Sequence, residues 1–302
     1  MLSGFLLLPM QDKISTFFRK RFTRIVYPFI AWCVLYAGYY VLSRGDSFSQ
    51  MALNILHIPV NFGCEIGHLW YIYMLIGLYL VTPIISPWLQ QASKRELEGY
   101  LGLWIITTFL PYIHLVYPEV LGEAFWNDTP LLYYFTGFIG YFILGYYLKR
   151  FGYPSAALSW IILIGGFALS AGIFCSRIDT VPTVPELELS WGFCTVNVFL
   201  MTLGLFSLIG RLSLKGKNAA CKLLSDISIK SYGMYLAHIL FLNFYYGLFK
   251  SISDAAYVTI PLIAVCTFIT VYIFVYLLSY LPKSKYIICL LYTSPSPRDR
   301  SL

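Results

Sequence analysis

The sequence predicts an all-α fold, a polytopic transmembrane helix bundle with eight complete spans and one partial span at the amino end. Three observations predict it. Of 302 residues only 12% are charged, against ~25% in an ordinary soluble domain, so there is too little polar surface to cover a water-facing core. Mean hydropathy is +0.71, with 59% of the residues apolar. Phe, Tyr and Trp make up 19% of the chain, as expected where many helices cross two membrane interfaces. Disorder, coiled coil and collagen are excluded by the same figures.

A helix needs roughly 20 apolar residues to cross the hydrocarbon core. In lipid its backbone must bond to itself, so helix is the only reading of a lone span. Residues 1–9, MLSGFLLLP, are too short to cross, and no basic segment precedes them as a signal peptide would require. They predict a span that lacks its first half. Complete spans follow at about 25–43, 68–88, 99–117, 130–148, 156–174, 190–210, 227–248 and 258–281. The loops between them leave no room for a soluble domain, so residues 1–285 read as one membrane domain. The chain then turns polar and Ser/Pro-rich in CLLYTSPSPRDRSL. Residues 289–302 read as a non-native tail, of the kind a translated sequencing adapter gives, and are set aside from fold and function.

Charge placement orients the bundle. The segments 10–24, 89–98, 149–155, 211–226 and 282–286 carry fifteen Lys and Arg, whereas the intervening loops carry only Arg44, Arg177 and Lys250. Basic loops stay in the cytoplasm, so the first set and the carboxyl end are predicted to be cytoplasmic, in a plasma (inner) membrane. Acidic residues lean outward: Asp46, Glu65, Glu119, Glu123, Asp128, Asp179, Glu186, Glu188 and Asp254. The net charge of +7 therefore records orientation, and nucleic acid is not expected as a partner. The bilayer is. Seven cysteines show no C-x-x-C pair or metal-ligand spacing, so no metal site is expected. Cys64, Cys175 and Cys194 lie on the outer side, where a disulfide is chemically permitted.

Three groups of residues can carry chemistry. In FFRKRFTRIVYPF, Arg21 and Arg24 are three apart and share a helix face, where paired guanidinium groups can grip a phosphate; the competing reading is a basic flank that only sets topology. In NFGCEIGHLWYIY, Glu65 and His68 are three apart, so on a continuous helix the carboxylate would orient the imidazole as in general-base catalysis. Trp70 and Tyr71 follow directly; alternatively this is an interfacial aromatic belt around a solvated histidine. In ISIKSYGMYLAHILFLN, Ser231, Tyr235 and His238 stand at i, i+4 and i+7 and form one polar stripe on an apolar helix. His238 lies ~16 Å into its span, where ionisable groups face a bundle interior or a wet cavity; a hydrogen bond to a neighbouring helix would also account for it. Asn197, Thr202 and His114 are weaker candidates, matching helix-to-helix hydrogen-bonding positions. The apolar run MALNILHIPV reads as a short interfacial helix.

Taken in order and spacing, FLLLP, FFRKRFTRIVYPF, GHLWYIYMLIGLYLVTPI and SYGMYLAH resemble the acyltransferase family 3 membrane proteins over about residues 1–285. Within that family the chain looks most like the bacterial branch that O-acetylates polysaccharides. The resemblance implies a bundle of about ten helices with both ends cytoplasmic. It also implies transfer of an acyl group, with acetyl-CoA as the donor substrate and not a bound cofactor, to a hydroxyl of a cell-surface or lipid-linked saccharide. The family's R-x-x-R motif maps onto Arg21 and Arg24, which it assigns to the donor's phosphates, and its HLW motif maps onto His68, Leu69 and Trp70. Many members follow HLW with a glutamate pair, where this chain has Leu75 and Ile76. The family's first helix, with an Arg and a His about ten residues apart, would precede Met1. The expectation is a fragment with little activity, whose remaining catalytic candidates are His68 and His238. The alternative is a transporter of a polysaccharide or lipid-linked sugar, which would also hold polar residues at mid-bilayer.

Overall fold

The computed structural model describes residues 1–117, 119, 135–212, 219–250, 252, 255–282 and 284–288. Among them the chain is helical, 79% helix with no strands. In chain order the helices are α1 (Leu2–Leu7), α2 (Ile14–Arg44), α3 (Phe48–Leu56), α4 (Phe62–Glu65), α5 (Trp70–Gln91), α6 (Lys94–Thr107), α7 (Leu110–Ile113) and α8 (Phe138–Phe151). They continue with α9 (Ala156–Arg177), α10 (Val184–Leu187) followed by a 3₁₀ turn at Glu188–Trp191, α11 (Val196–Gly210), α12 (Ala219–Lys250), α13 (Ala256–Leu278) and α14 (Lys285–Ile288). Glu123, Asp128, Asp254, Lys215, Lys217, Cys289, the first residues of the expected 130–148 span and the 289–302 tail lie outside the described residues.

Among the described residues four helices, α2, α5, α9 and α13, are long and apolar enough to cross a membrane, and the bent pair Val184–Trp191 and Val196–Gly210 makes up to five. They mark a multi-pass membrane protein, with fewer full-length spans than the eight the hydropathy predicts. Local chemistry accounts for the difference. The expected 99–117 span stops at Thr107, because Thr107 and Thr108 turn their hydroxyls back onto the carbonyls of Trp104 and Ile105, each at 2.6 Å, and Pro111, three residues after Thr108, has no N–H to give the Thr107 carbonyl. The 190–210 span is interrupted at Gly192, where Thr195 donates to the Gly192 carbonyl at 2.6 Å, and its two parts meet at 44°. α12 covers the expected 227–248 span at ample length, ~48 Å, but Tyr, Ser, His and Asn dilute its apolar character.

The chain forms two compact units. The first contains Met1–Gln11 and Leu80–Leu214. Its α9 and α11 pack closely because small residues let the backbones approach: a Cβ on Gly166 would stand 2.8 Å from the Asn197 carbonyl oxygen, and one on Gly204 would stand 2.6 Å from that of Ser159. Asn197 is buried and donates to Ser170 Oγ (2.6 Å) and to the Ser190 carbonyl (2.8 Å), while Tyr112 donates to its Oδ1 (2.7 Å). It is thus a helix-to-helix hydrogen-bonding hub. At the end of α5, Arg150 donates to the carbonyls of Leu89 and Ala92, satisfying groups that a helix terminus leaves open. α6 begins with a capping box between Ser93 and Glu96, whose hydrogen bonds from the Ser93 backbone and side chain hold the Glu96 carboxyl below its usual range.

The second unit contains Asp12–Tyr79 and the described residues from Ala219 onward. Its core is the face of α2 carrying Phe29, Trp32, Cys33, Tyr36 and Tyr40, packed with Leu69, Ile72, Leu236, Val271 and Val275. Three polar tips in and beside this core reach backbone carbonyls: Trp32 Nε1 donates to Ile287 (2.9 Å), Tyr36 to Leu236 (2.9 Å) and Tyr232 to Ile25 (3.0 Å). These bonds tie α2 to α12 and α14 where lipid offers no alternative partner.

Candidate functional site

The second unit holds Arg21, Arg24, Glu65, His68, Trp70, Tyr71, Ser231, Tyr235 and His238, whereas the weaker candidates His114, Asn197 and Thr202 belong to the first. Arg21 and Arg24 lie in the first third of α2, Arg21 half-buried and Arg24 exposed. The Arg21 guanidinium stands 6.0 Å from the Phe17 ring, and its Nε is buried without a hydrogen-bond partner among the described residues. The nearby Asp12 is engaged by Lys20 at 3.0 Å. Two cations three apart on one helix, one with an unsatisfied buried donor, are suited to a phosphate-bearing ligand.

The histidines meet at the other end. His68 sits in the turn before α5, and its ring centroid is 4.6 Å from that of His238 on α12, edge to face at 75°. Tyr235 (5.3 Å) and Tyr36 (5.8 Å) complete an aromatic wall around His68, and Tyr235 donates a hydrogen bond to the His68 carbonyl. Tyr71 packs edge-on against Tyr235 at 5.9 Å, and Trp70 against Tyr71 at 6.3 Å. Among the described residues neither His68 ring nitrogen has a hydrogen-bond partner. His238 Nδ1 lies 2.7 Å from the Tyr235 carbonyl. A carbonyl only accepts, so Nδ1 carries the proton and, in the neutral ring, the lone pair is left on Nε2. His238 is held in the tautomer a general base requires.

Two expected contacts are not formed. Glu65 is exposed and does not orient His68, because α4 ends at Glu65 and Gly67, at φ +97°, breaks the helix between them. Their i, i+3 spacing therefore has no helix to act on. Ser231 is also exposed and donates to the Ser228 carbonyl of its own helix at 2.8 Å, so the stripe it shares with Tyr235 and His238 is a common face without a hydrogen-bonded chain. That face, with α13, walls an open groove of about 390 Å³. Tyr36 was the residue that motif reasoning missed, although Trp32, Tyr36 and Tyr40 recur every four residues as one buried stripe.

One residue before the apolar part of α12, Asp226 pairs with the buried Lys230 and accepts from Tyr272 of α13 at 2.6 Å. Burial opposes its charge, but the bonds from Lys230 and Tyr272 outweigh that and hold its carboxyl below the usual range. The six described cysteines, Cys64, Cys175 and Cys194 among them, are free thiols. Among the described residues no three His, Cys, Asp or Glu side chains converge as a metal site.

Comparison with known proteins gives one family. The model described as an acyltransferase domain matches residues 1–280. No curated protein and no solved structure matches. The match spans both the arginine pair of α2 and the two histidines, His68 before α5 and His238 on α12, and the chain belongs to acyltransferase family 3.

Proposed function

We propose that the protein transfers an acetyl group from acetyl-CoA to a hydroxyl of a cell-surface or lipid-linked saccharide. The observation that carries this reading is the histidine pair: His68 and His238 in ring contact, with His238 fixed by the Tyr235 carbonyl so that Nε2 is basic. In this reading Nε2 takes the acceptor's hydroxyl proton, the alkoxide oxygen attacks the thioester carbonyl, and the coenzyme leaves as its thiolate, which takes up a proton. His68, whose ring lies 4.6 Å from that of His238, can in its Nε2–H form donate to the developing oxyanion.

Arg21 and Arg24 hold the donor's phosphates. Arg21 lies fifteen residues before Tyr36, which touches His68, so the clamp and the histidines are separated by ~22 Å along α2. The extended arm of coenzyme A bridges such a gap, placing phosphates and thioester at opposite ends. The charge count supports a cytoplasmic clamp and carboxyl end, in a multi-pass protein of a bacterial inner membrane.

Proteoliposomes given labelled acetyl-CoA and a saccharide acceptor test the reading directly. Label appearing on the acceptor supports it. Acceptor flux across the bilayer without acetyl transfer would favour a transporter instead, a reading to which the 44° break between Trp191 and Val196 lends its one structural argument.

A further inference from the structure

The groove between α12 and α13 has a chemistry that acetyl-CoA does not explain. On α12 its wall runs from Ile227 through Met234 and His238 to Leu242, fifteen residues or ~22 Å of helix, most of the ~30 Å hydrocarbon thickness of a bilayer. On α13 it is closed by Ala264, Thr267, Phe268 and Val271. The groove is open along its length, and α13 exposes Val265, Phe268 and Ile269 beside it, so a bilayer component can enter sideways. No Lys, Arg, Asp or Glu lines it, which leaves a nucleotide's phosphates without counter-charge there. An acetyl group would fill little of it.

One polar atom breaks the apolar wall of α13. Thr267 is 6% exposed, and among the described residues its Oγ1 has no hydrogen-bond partner. A buried hydroxyl left unbonded costs ~1–3 kcal/mol, and on a helix the carbonyl four residues back is the usual remedy, which Thr267 does not use. Across the groove stands His238.

Resting on the acyltransferase reading, we propose that this groove binds the hydrocarbon chain of a membrane-embedded acceptor, a neutral lipid alcohol or lipid-linked sugar, with the acceptor's polar group bonded to Thr267 beside His238. The acceptor then approaches the base through the bilayer and not from water. Its chain supplies the binding, and its hydroxyl satisfies Thr267.

The test is photolabelling of the full chain in proteoliposomes with a diazirine-bearing long-chain alcohol, alongside a diazirine-bearing alkane and a diazirine-bearing phospholipid. The alcohol should label Met234, Leu242 or Phe268 at least tenfold over the lipid-exposed Trp160 and Ile161 of α9. Ala264→Trp should abolish this labelling and Thr267→Val should lower it several-fold; if the tryptophan variant does not elute like the parent, Ala264→Leu makes the same test. Equal labelling of α9 and α13, labelling by the alkane or the phospholipid as strong as by the alcohol, or undiminished labelling of the Ala264 variants would each overturn the proposal. Acetyl-CoA binding by the unaltered protein in the same vesicles separates the two readings: its loss with groove labelling intact counts against the acyl donor alone, and the reverse against the groove alone.

Discussion

At the residue scale, the chemistry rests on which nitrogen of which histidine is basic. His238 donates Nδ1–H to the Tyr235 carbonyl, so Nε2 is its basic position, whereas His68 owes its placement to ring contacts. Replacing His238 with Gln should lower acetyl transfer by roughly 10²–10⁴-fold. A base must be neutral to act, so the parent rate should rise with pH through the imidazole titration and the residual rate of the variant should not; initial rates against pH check both. Tyr36→Phe removes the hydroxyl that donates to the Leu236 carbonyl, and should cost ~1 kcal/mol, read as a lower thermal midpoint in detergent. His238 stands out as a candidate in the sequence because a polar residue deep in an apolar helix has few structural uses. The separation of Glu65 from His68 was not legible there, because a spacing argument presumes a helix and Gly67 ends it. The contact between His68 and His238 joins residues 170 positions apart, which no local pattern can announce.

At the element scale, hydropathy located helices well and their ends poorly. α2, α5, α9 and α13 fall on expected spans because each is an unbroken apolar run. The breaks after Thr107 and at Gly192 come from hydroxyls that compete for backbone carbonyls, a local effect that a twenty-residue average smooths away. Two predictions belong here. Gly204→Leu places a side chain against the Ser159 carbonyl and Leu163, so α9 and α11 must separate; the variant should lose its monodisperse elution in mild detergent. Tyr272→Phe removes the bond from α13 to Asp226 and should cost ~1 kcal/mol at neutral pH. Because the folded Asp226 carboxyl sits below its ordinary range, its bonds stabilise above the unfolded carboxylate's pKa and are lost as pH falls through the lower folded value. Melting curves of parent and variant should therefore converge in acid.

At the scale of the whole molecule, the proposed function depends on sidedness, because a donor grip and an acceptor site would be useful together only if each faced its own substrate. The basic loops predict that Cys64 and Cys175, both exposed thiols, react with an impermeant maleimide from outside intact cells, while Cys221 reacts only after permeabilisation. Labelling in the opposite sense would invert the topology. The family was legible from ordered motifs spread over the chain; the groove beside His238 was not, since it is made by two helices whose separate patterns look only apolar. The central claim is that Arg21 and Arg24 hold the acyl donor whose thioester reaches the histidine pair. Its most direct measurement is equilibrium binding of labelled acetyl-CoA to the purified protein and to the Arg21→Ala, Arg24→Ala double variant, both verified as inserted in the membrane. The account predicts binding that weakens with salt and falls at least tenfold in the double variant; equal binding by the two proteins would contradict it.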